Sequence, residues 1–174
     1  MTNPSTGEAV TRRTELRFET VDDAVAEARQ LLSNGYATAG KWSLGQACDH
    51  LAKFTNYSLD GFPSRGLPWP LNAIARGILL SDAKLSRPMP GGLPTAPFLK
   101  PHDAAESDGD ERERDAAAVE AFAVECGRLK ERVDAGGPFA KSPLFGHLTP
   151  DRWRRVHLNH AALHLGHLVP VGAA

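Results

Sequence analysis

This sequence has few cysteines, no long apolar run and no excess of basic charge. Only two of the 174 residues are cysteine, too few for a disulfide framework, and we expect Cys48 and Cys126 to be small buried residues. The most apolar stretch, Leu71 to Leu80, carries Arg76 and is shorter than the ~20 residues of a membrane-spanning helix. The formal net charge is −1 at pH 7, without a basic stripe. These absences argue against a membrane protein and against nucleic acid as a partner.

An export signal is also missing from the N-terminal region. Arg12 and Arg13 are adjacent, but no apolar segment follows them, so we expect a cytoplasmic protein. Residues 1–12 are polar and unpatterned, which indicates a disordered tail. With 41% hydrophobic and 24% charged residues the chain has the composition of a globular protein, and residues 13–174 are predicted to form one domain.

Apolar residues recur at spacings of three and four in four parts of the chain, which is the pattern of amphipathic helices. The first predicted helix can be capped by Thr20 with Asp23 three positions later. The fourth has Thr149 at its N-cap and Pro150 at the first helical position, and we expect Pro170 to mark its end. Without a convincing set of strands, the predicted fold is all-α, an antiparallel four-helix bundle. The predicted helices lie at residues 20–34, 43–61, 116–135 and 149–170.

A long segment rich in proline and glycine separates the second and third predicted helices. Eight of the thirteen prolines fall between Pro63 and Pro101, so no long helix or central strand can cross this region. Residues 71–80 can form a short helix within it, and we expect the segment to pack over one end of the bundle, at the entrance to a cavity. The acidic run Asp103–Asp115 is predicted to be a solvated approach to the third helix.

Histidine is concentrated on one face of the fourth predicted helix. Four of the seven histidines lie between His157 and His167, and in a helix they point within about 80° of one another. His160 and His164 have the i, i+4 spacing, which places two imidazoles one turn apart and suits a shared metal ion best. The i, i+3 pairs that involve His157 and His167 are weaker alternatives.

A metal site needs a third ligand from another helix, and His50 has a suitable position at the edge of an apolar face, turned toward the interior. Gln46 and Tyr57 lie one turn before and two turns after it, so we predict that they line the same cavity. Burying histidines without partners would cost about 1–3 kcal/mol each, which favours a metal, with hydrogen-bonded structural histidines as the alternative. Trp42 and Trp153 are expected to pack at the ends of the bundle.

Two segments carry a resemblance to a known family. They are GKWSLGQACDHLAKF, which contains Gln46 and His50, and SPLFGHLTPDRWRRVHLNHAALHLGHL. Together they resemble the DinB-like (YfiT-like) superfamily of metal-binding four-helix bundles, in a branch of undefined function. The resemblance implies one divalent metal ion, zinc or nickel with iron or manganese as alternatives, bound by His50, His160 and His164. Many relatives have His-Arg-Gly-Gln after the last ligand, whereas this chain has His-Leu-Gly-His, which leaves His167 as a substitute or extra ligand.

The resemblance also implies a function, because some members of the superfamily transfer or isomerise groups with a low-molecular-weight thiol bound near the metal. We therefore expect a small molecule or such a thiol as partner, with thiol transfer as the first reaction class and metal-assisted hydrolysis as the second. Homodimerisation is a further expectation. A non-catalytic metal-binding or stress-response module is the alternative. An enzyme is favoured over such a module if the metal has three protein nitrogens at about 2.0–2.2 Å and an open coordination position. His167 is then expected to lie outside the coordination sphere.

Overall fold

The computed structural model of the chain describes residues 10–64, 94–102 and 110–171. This part is mostly helical: α1 spans Val21–Asn34, α2 Leu44–Asp60, α3 Glu111–Asp134 and α4 Pro150–Leu165. A 3-10 turn covers Pro97–Leu99, and two short strands, β1 at Tyr36–Thr38 and β2 at Leu168–Pro170, complete the described elements. The predicted helical class is confirmed, and the two strands are an addition to it.

The first two helices begin with the same kind of cap. Thr20 Oγ1 accepts a hydrogen bond from Asp23 N, and the Asp23 carboxylate accepts one from Thr20 N at 2.8 Å. Ser43 and Gln46 form the equivalent pair at the start of α2. These capping boxes satisfy backbone N–H groups that a first helical turn leaves unpaired, so both helices begin where the sequence predicts.

The apolar faces of the four helices pack into a buried core. Helix α2 lies most extensively against α3, which also contacts α1. Cys48 and Cys126 are free and buried in this core, as predicted, and burial raises the pKa of both thiols. Trp153 is fully buried in a second cluster with Phe54 and Phe145, as expected for a packing residue.

Helix α4 ends at Leu165, and the prediction that it continues to Pro170 is wrong. The N-terminal segment crosses closely at Gly166: Arg13 N donates to Gly166 O at 2.8 Å, and a Cβ on Gly166 would lie 2.9 Å from Arg13 O. The chain then forms β2, which pairs with β1 in antiparallel register. His167 therefore lies in the turn after α4 and not on the helix, although the sequence predicts it on the same helical face as the other three histidines.

The acidic run Asp103–Asp115 was predicted to be a solvated approach to the third helix, but residues 111–115 already belong to α3 and one of them is buried. Asp110 is the exposed N-cap of α3, whereas Asp115 is buried. The Asp115 carboxylate accepts hydrogen bonds from Gly45 N at 2.6 Å and from Tyr36 Oη at 2.7 Å. Tyr36 Oη in turn accepts one from Leu44 N at 2.9 Å. The carboxylate thus joins α3 to β1 and to the first turn of α2.

Some predictions fall on residues outside the described part of the chain: the helix at 71–80, most of the proline-rich segment, and residues 1–9 of the tail. Residues 10–12 of the predicted tail are described, and Arg12 is partly buried. Residues 94–102 at the end of the proline-rich segment are described as well, and they contact α2. Among the described helices, none combines the length and the apolar character needed to cross a membrane.

Candidate metal centre

Three histidines from two helices meet in the interior of the bundle. His50 lies on α2 and is buried, while His160 and His164 lie one turn apart on α4, buried and half-buried respectively. His160 Nε2 is 3.1 Å from His50 Nε2 and 3.0 Å from His164 Nε2. One ligand nitrogen of each residue lies within 4.8 Å of the other two. The structure thus brings together the three residues named from the sequence, and they can hold a metal ion.

A backbone carbonyl fixes the orientation of His50. Leu99 O lies 2.7 Å from His50 Nδ1, and since a carbonyl only accepts, Nδ1 carries the proton and Nε2 presents a lone pair. A metal-binding histidine usually has this arrangement: one ring nitrogen donates its proton to a carbonyl or carboxylate, and the other binds the metal. Leu99 belongs to the proline-rich segment, so the described end of that segment contributes directly to the centre.

Hydrogen bonding among the three histidines cannot satisfy both short contacts. The Nε2 of His50 is an acceptor, so His160 Nε2 must donate to it or face it lone pair to lone pair. A nitrogen that donates to His50 cannot also accept from His164, so only one of the two contacts can be a normal hydrogen bond. Nitrogens that share a tetrahedral zinc ion lie about 3.3 Å apart, close to the spacing found here. The residues present therefore fit a divalent cation, which binds all three lone pairs.

Burial keeps the three imidazoles in the neutral form. Desolvation lowers the pKa of His50, and it lowers the pKa of His164 to about 3. It also lowers the pKa of His160 well below the ordinary 6.5, and the neighbouring histidines lower it further. Neutral imidazole is the form that binds metals, so proton competition at the centre is weak at neutral pH.

Trp42, which was predicted to pack at an end of the bundle, lies against two of these histidines. Its ring stacks on that of His164, with centroids 5.1 Å apart and an interplanar angle of 17°, and its centroid is 4.9 Å from that of His50. The ring of Phe54 contacts that of His160 edge to face, at 4.6 Å. Trp42 immediately precedes the cap of α2, so the loop folds its ring over the histidines. Such an apolar surround limits the access of water to a metal site.

Gln46 and Tyr57 were predicted to line one cavity with His50. Gln46 does line a cavity of about 470 Å³ together with Trp42 and Asp49, but neither Tyr57 nor His50 is among its lining residues. Gln46 caps α2, and the Ser-x-x-Gln pattern is the sequence feature that could have revealed this role. The ring of Tyr57 packs against Phe62 and Phe98, with centroids 6.1 and 5.7 Å away. Seven residues advance a helix by about 10 Å, so Tyr57 shares a face with His50 but lies far along it.

The other two histidines of the predicted stripe are not members of the group of three. His157 is buried on α4, where its Nε2 is 2.9 Å from Ser58 Oγ and its Nδ1 is 3.4 Å from Thr55 Oγ1. It is thus a hydrogen-bonded structural histidine. His167 is half-buried in the turn after α4, and its Nδ1 is buried without a hydrogen-bond partner among the described residues.

The buried histidines make the stability of the metal-free protein depend on pH. Burial lowers the pKa of His157 to about 3, whereas an unfolded chain protonates histidine near 6.5. The unfolded state therefore binds more protons between these values, and the free energy of unfolding falls as the pH decreases from about 6.5 toward 3.

We expect His157→Gln, which does not titrate, to reduce the slope of stability against pH by up to about 1.4 kcal/mol per pH unit in this range. Urea unfolding between pH 7 and pH 4, with a chelator present, measures the slope. His147→Gln, a change at an exposed histidine, serves as the control. Equal slopes for His157→Gln and the unmodified chain would show that His157 is not held neutral in the folded state.

A cavity of about 470 Å³ lies beside the centre and shares Trp42 with it as a wall. Asp49, which adjoins His50 in the sequence, lines this cavity together with His102. Its Oδ2 accepts hydrogen bonds from His102 N and from Lys53 Nζ, both at 2.9 Å. The acid nearest in sequence to the candidate ligands is therefore already bonded to a lysine and to a backbone N–H.

Comparison with known proteins gives one family match. Residues 10–171 match the model of a family described as protein of unknown function (DUF1569). The matched region includes all three candidate ligands and every described helix. No curated protein and no solved structure matches the chain.

Proposed function

The chain belongs to the DUF1569 family, and we propose that it is a DinB-like metalloenzyme that binds one divalent metal ion through His50, His160 and His164. The supporting observation is the convergence of three neutral Nε2 atoms in two short contacts that hydrogen bonds cannot both satisfy. We propose zinc or nickel as the ion, because imidazole ligation suits both, with iron as an alternative of the same preference and manganese, which favours oxygen ligands, as a further alternative.

Three histidines leave coordination positions open, and an ion bound there would act as a Lewis acid that lowers the pKa of a water or a small thiol. The protein's own residues provide the surroundings for this chemistry. Leu99 O holds His50 in the binding orientation, and the rings of Trp42 and Phe54 cover the histidines on apolar surfaces. A preorganised and partly dry site of this kind strengthens electrostatic interactions with an anionic reactant.

The reaction that we propose is transfer of a group to a low-molecular-weight thiol. The thiol releases its proton to solvent, its sulfur forms a bond to an electrophilic atom of the second substrate, and the leaving group departs with the electron pair of the broken bond. Two features support this class: the uncharged ligand set favours an anionic reactant such as a thiolate, and the motifs resemble those of a superfamily that includes thiol-dependent transferases. The cavity beside Trp42 offers space for a small molecule.

Metal analysis of protein purified without a histidine tag tests the premise, and we expect about one divalent ion per chain. Protein loaded with cobalt then tests whether the site is open. Its absorption spectrum should change when a small thiol is added, because the thiolate enters an open position. A spectrum that does not change when thiols or other small anions are added would indicate a closed site and a non-catalytic module. A response to small anions but not to thiols would favour metal-assisted hydrolysis.

A further inference from the structure

The chain at the end of the proline-rich segment is fixed to α2 by several hydrogen bonds. One is the carbonyl contact of His50 described above. Lys100 O accepts a hydrogen bond from Lys53 Nζ at 2.9 Å, and His102 N donates one to Asp49 Oδ2, also at 2.9 Å. His102 is therefore held in a defined position, although 74% of its side chain is exposed.

The side chain of His102 forms a carboxylate–imidazole pair with Asp49. His102 Nδ1 lies 3.1 Å from Asp49 Oδ2 and 3.4 Å from Lys53 Nζ. A carboxylate only accepts and an ammonium group only donates, so the two contacts require opposite protonation of Nδ1. The carboxylate is closer, and an unprotonated Nδ1 would face it lone pair to lone pair. The proton therefore belongs on Nδ1, and in the neutral ring Nε2 presents a lone pair that no described residue occupies.

This pair lines the cavity of about 470 Å³ that has Trp42 as a wall. The volume lies within the range of about 300–1,000 Å³ that is typical of small-molecule sites. The ring of Trp42 also stacks on that of His164, and Asp49 directly precedes His50 on α2. A molecule that fills the cavity thus contacts His102 and also the ring that covers the candidate metal ligands.

His102 is the imidazole among the described side chains that line this cavity. The other charged groups of the wall, besides Asp49, are Lys41 before α2 and three residues of α3: Glu111, Arg114 and Asp115. Imidazole is the side-chain group that most readily accepts and returns a proton near neutral pH. The cavity therefore combines space for a small molecule with an oriented proton acceptor in contact with solvent.

We propose that His102 is a catalytic residue that accepts the proton of the substrate thiol in this cavity, with Asp49 as its positioning residue. This inference rests on the proposed function and adds proton transfer to the same site. The S–H bond breaks, its electron pair stays on the sulfur, and the proton joins the lone pair of His102 Nε2. Asp49 stabilises the imidazolium that forms, and the exposed ring then gives the proton to solvent.

The first measurement uses the metal-free, full-length protein. With isotope-labelled histidine, nitrogen NMR shows which ring nitrogen carries the proton, and comparison with His102→Gln assigns the signals. At a pH where the ring is neutral, we expect the proton on Nδ1 of His102. A proton on Nε2 would mean that Nδ1 accepts from Lys53 and that no lone pair faces the cavity, which would overturn the inference.

The second measurement uses protein loaded with cobalt and mixed rapidly with β-mercaptoethanol at neutral pH in dilute buffer. A sulfur-to-cobalt charge-transfer band reports entry of the thiolate. We expect His102→Gln to slow the growth of this band by about tenfold or more, because general bases contribute about 10²–10⁴-fold. A higher concentration of a bulky buffer base, which replaces the missing imidazole, should restore the rate. Asp49→Asn should slow it by a smaller factor, and His147→Gln, at an exposed histidine outside the cavity, should not change it.

Each outcome distinguishes the inference from the proposed function. Absence of cobalt binding or of the charge-transfer band in the unmodified protein overturns both. A band that grows equally fast in His102→Gln and in the unmodified protein overturns the inference alone. A slower rate in His102→Gln that buffer base does not restore, together with a lowered melting temperature, shows that His102 is structural and also overturns it.

Discussion

Replacing His164 with alanine is expected to lower the affinity for zinc or cobalt by at least about a hundredfold. Structural zinc sites have binding free energies of about 10–16 kcal/mol. If three ligands share the lower value equally, the loss of one costs roughly 3 kcal/mol, which is about a hundredfold in affinity. His164 also lies 3.0 Å from His160 and stacks on Trp42, so its loss opens the centre to water as well. Competition with a chromophoric chelator measures the affinity.

The matched control for this change is His102→Ala. His102 is a histidine with 74% of its side chain exposed, bonded to Asp49 and outside the group of three, so its loss should leave the metal affinity within about twofold. Undiminished affinity in His164→Ala would remove His164 from the ligand set. Of the two alternative histidines, His167 would then be favoured, because the ring nitrogens of His157 are near Ser58 and Thr55.

The parts of the structure that sequence patterns predict are those with local causes. Helices α1 and α2 start where predicted because Thr20 and Ser43 cap them within three residues, and short-range capping is visible in the sequence. The pair His160 and His164 is likewise local, since the helical repeat alone places two residues four apart on one face. His50 required only the further step that apolar faces of helices turn toward each other.

The features that sequence reasoning missed depend on contacts between distant parts of the chain. The orientation of His50 is set by Leu99 O, a backbone atom that any residue at position 99 provides. Strands β1 and β2 have three residues each and are too short to show an alternating pattern, so their pairing follows from tertiary contacts. At the end of α4, Arg13 approaches Gly166 closely, which is a contact between distant parts of the chain, although Gly166 itself is a helix-stop signal in the sequence.

Asp115 shows the same limitation at a charged residue. In the sequence it is the last of seven acids, and such a run normally lies in solvent. In the structure only 5% of it is exposed, because the chain 70 residues earlier presents N–H and O–H donors to it. Gly45 makes this approach possible, since a Cβ at that position would collide with the carboxylate.

We therefore expect Asp115→Ala to be the most destabilising replacement of an acidic residue in α3, with a loss of about 3 kcal/mol in the free energy of unfolding. Gly45 N and Tyr36 Oη would each lose a buried acceptor, and an unsatisfied buried donor costs about 1–3 kcal/mol. A native domain is stable by only about 5–15 kcal/mol, so the effect is large. Urea unfolding should show a lower midpoint with an unchanged slope.

Two further variants separate the network from the charge itself. Glu113→Ala removes an exposed acid from the first turn of α3 and should cost less than about 1 kcal/mol. Tyr36→Phe removes the hydroxyl that links Asp115 to Leu44 N, and its effect should be strongly non-additive with that of Asp115→Ala, because both changes break one network. A loss in Asp115→Ala no larger than that in Glu113→Ala would show that the buried carboxylate is not what joins α3 to α2.

The effect of Asp115→Ala should extend to the metal centre if the network positions the start of α2. Ser43 and Gly45 contact the Asp115 carboxylate in the first turn of α2, and His50 follows less than two turns later on the same helix. When that first turn frays, His50 is held less firmly against His160, so the metal affinity should fall by up to about tenfold, the lower range for losing an outer contact of a metal ligand. Chelator competition at a temperature where the variant remains folded measures this. Unchanged affinity in a destabilised variant would show that Leu99 O and the core hold His50 in place without the first turn of α2.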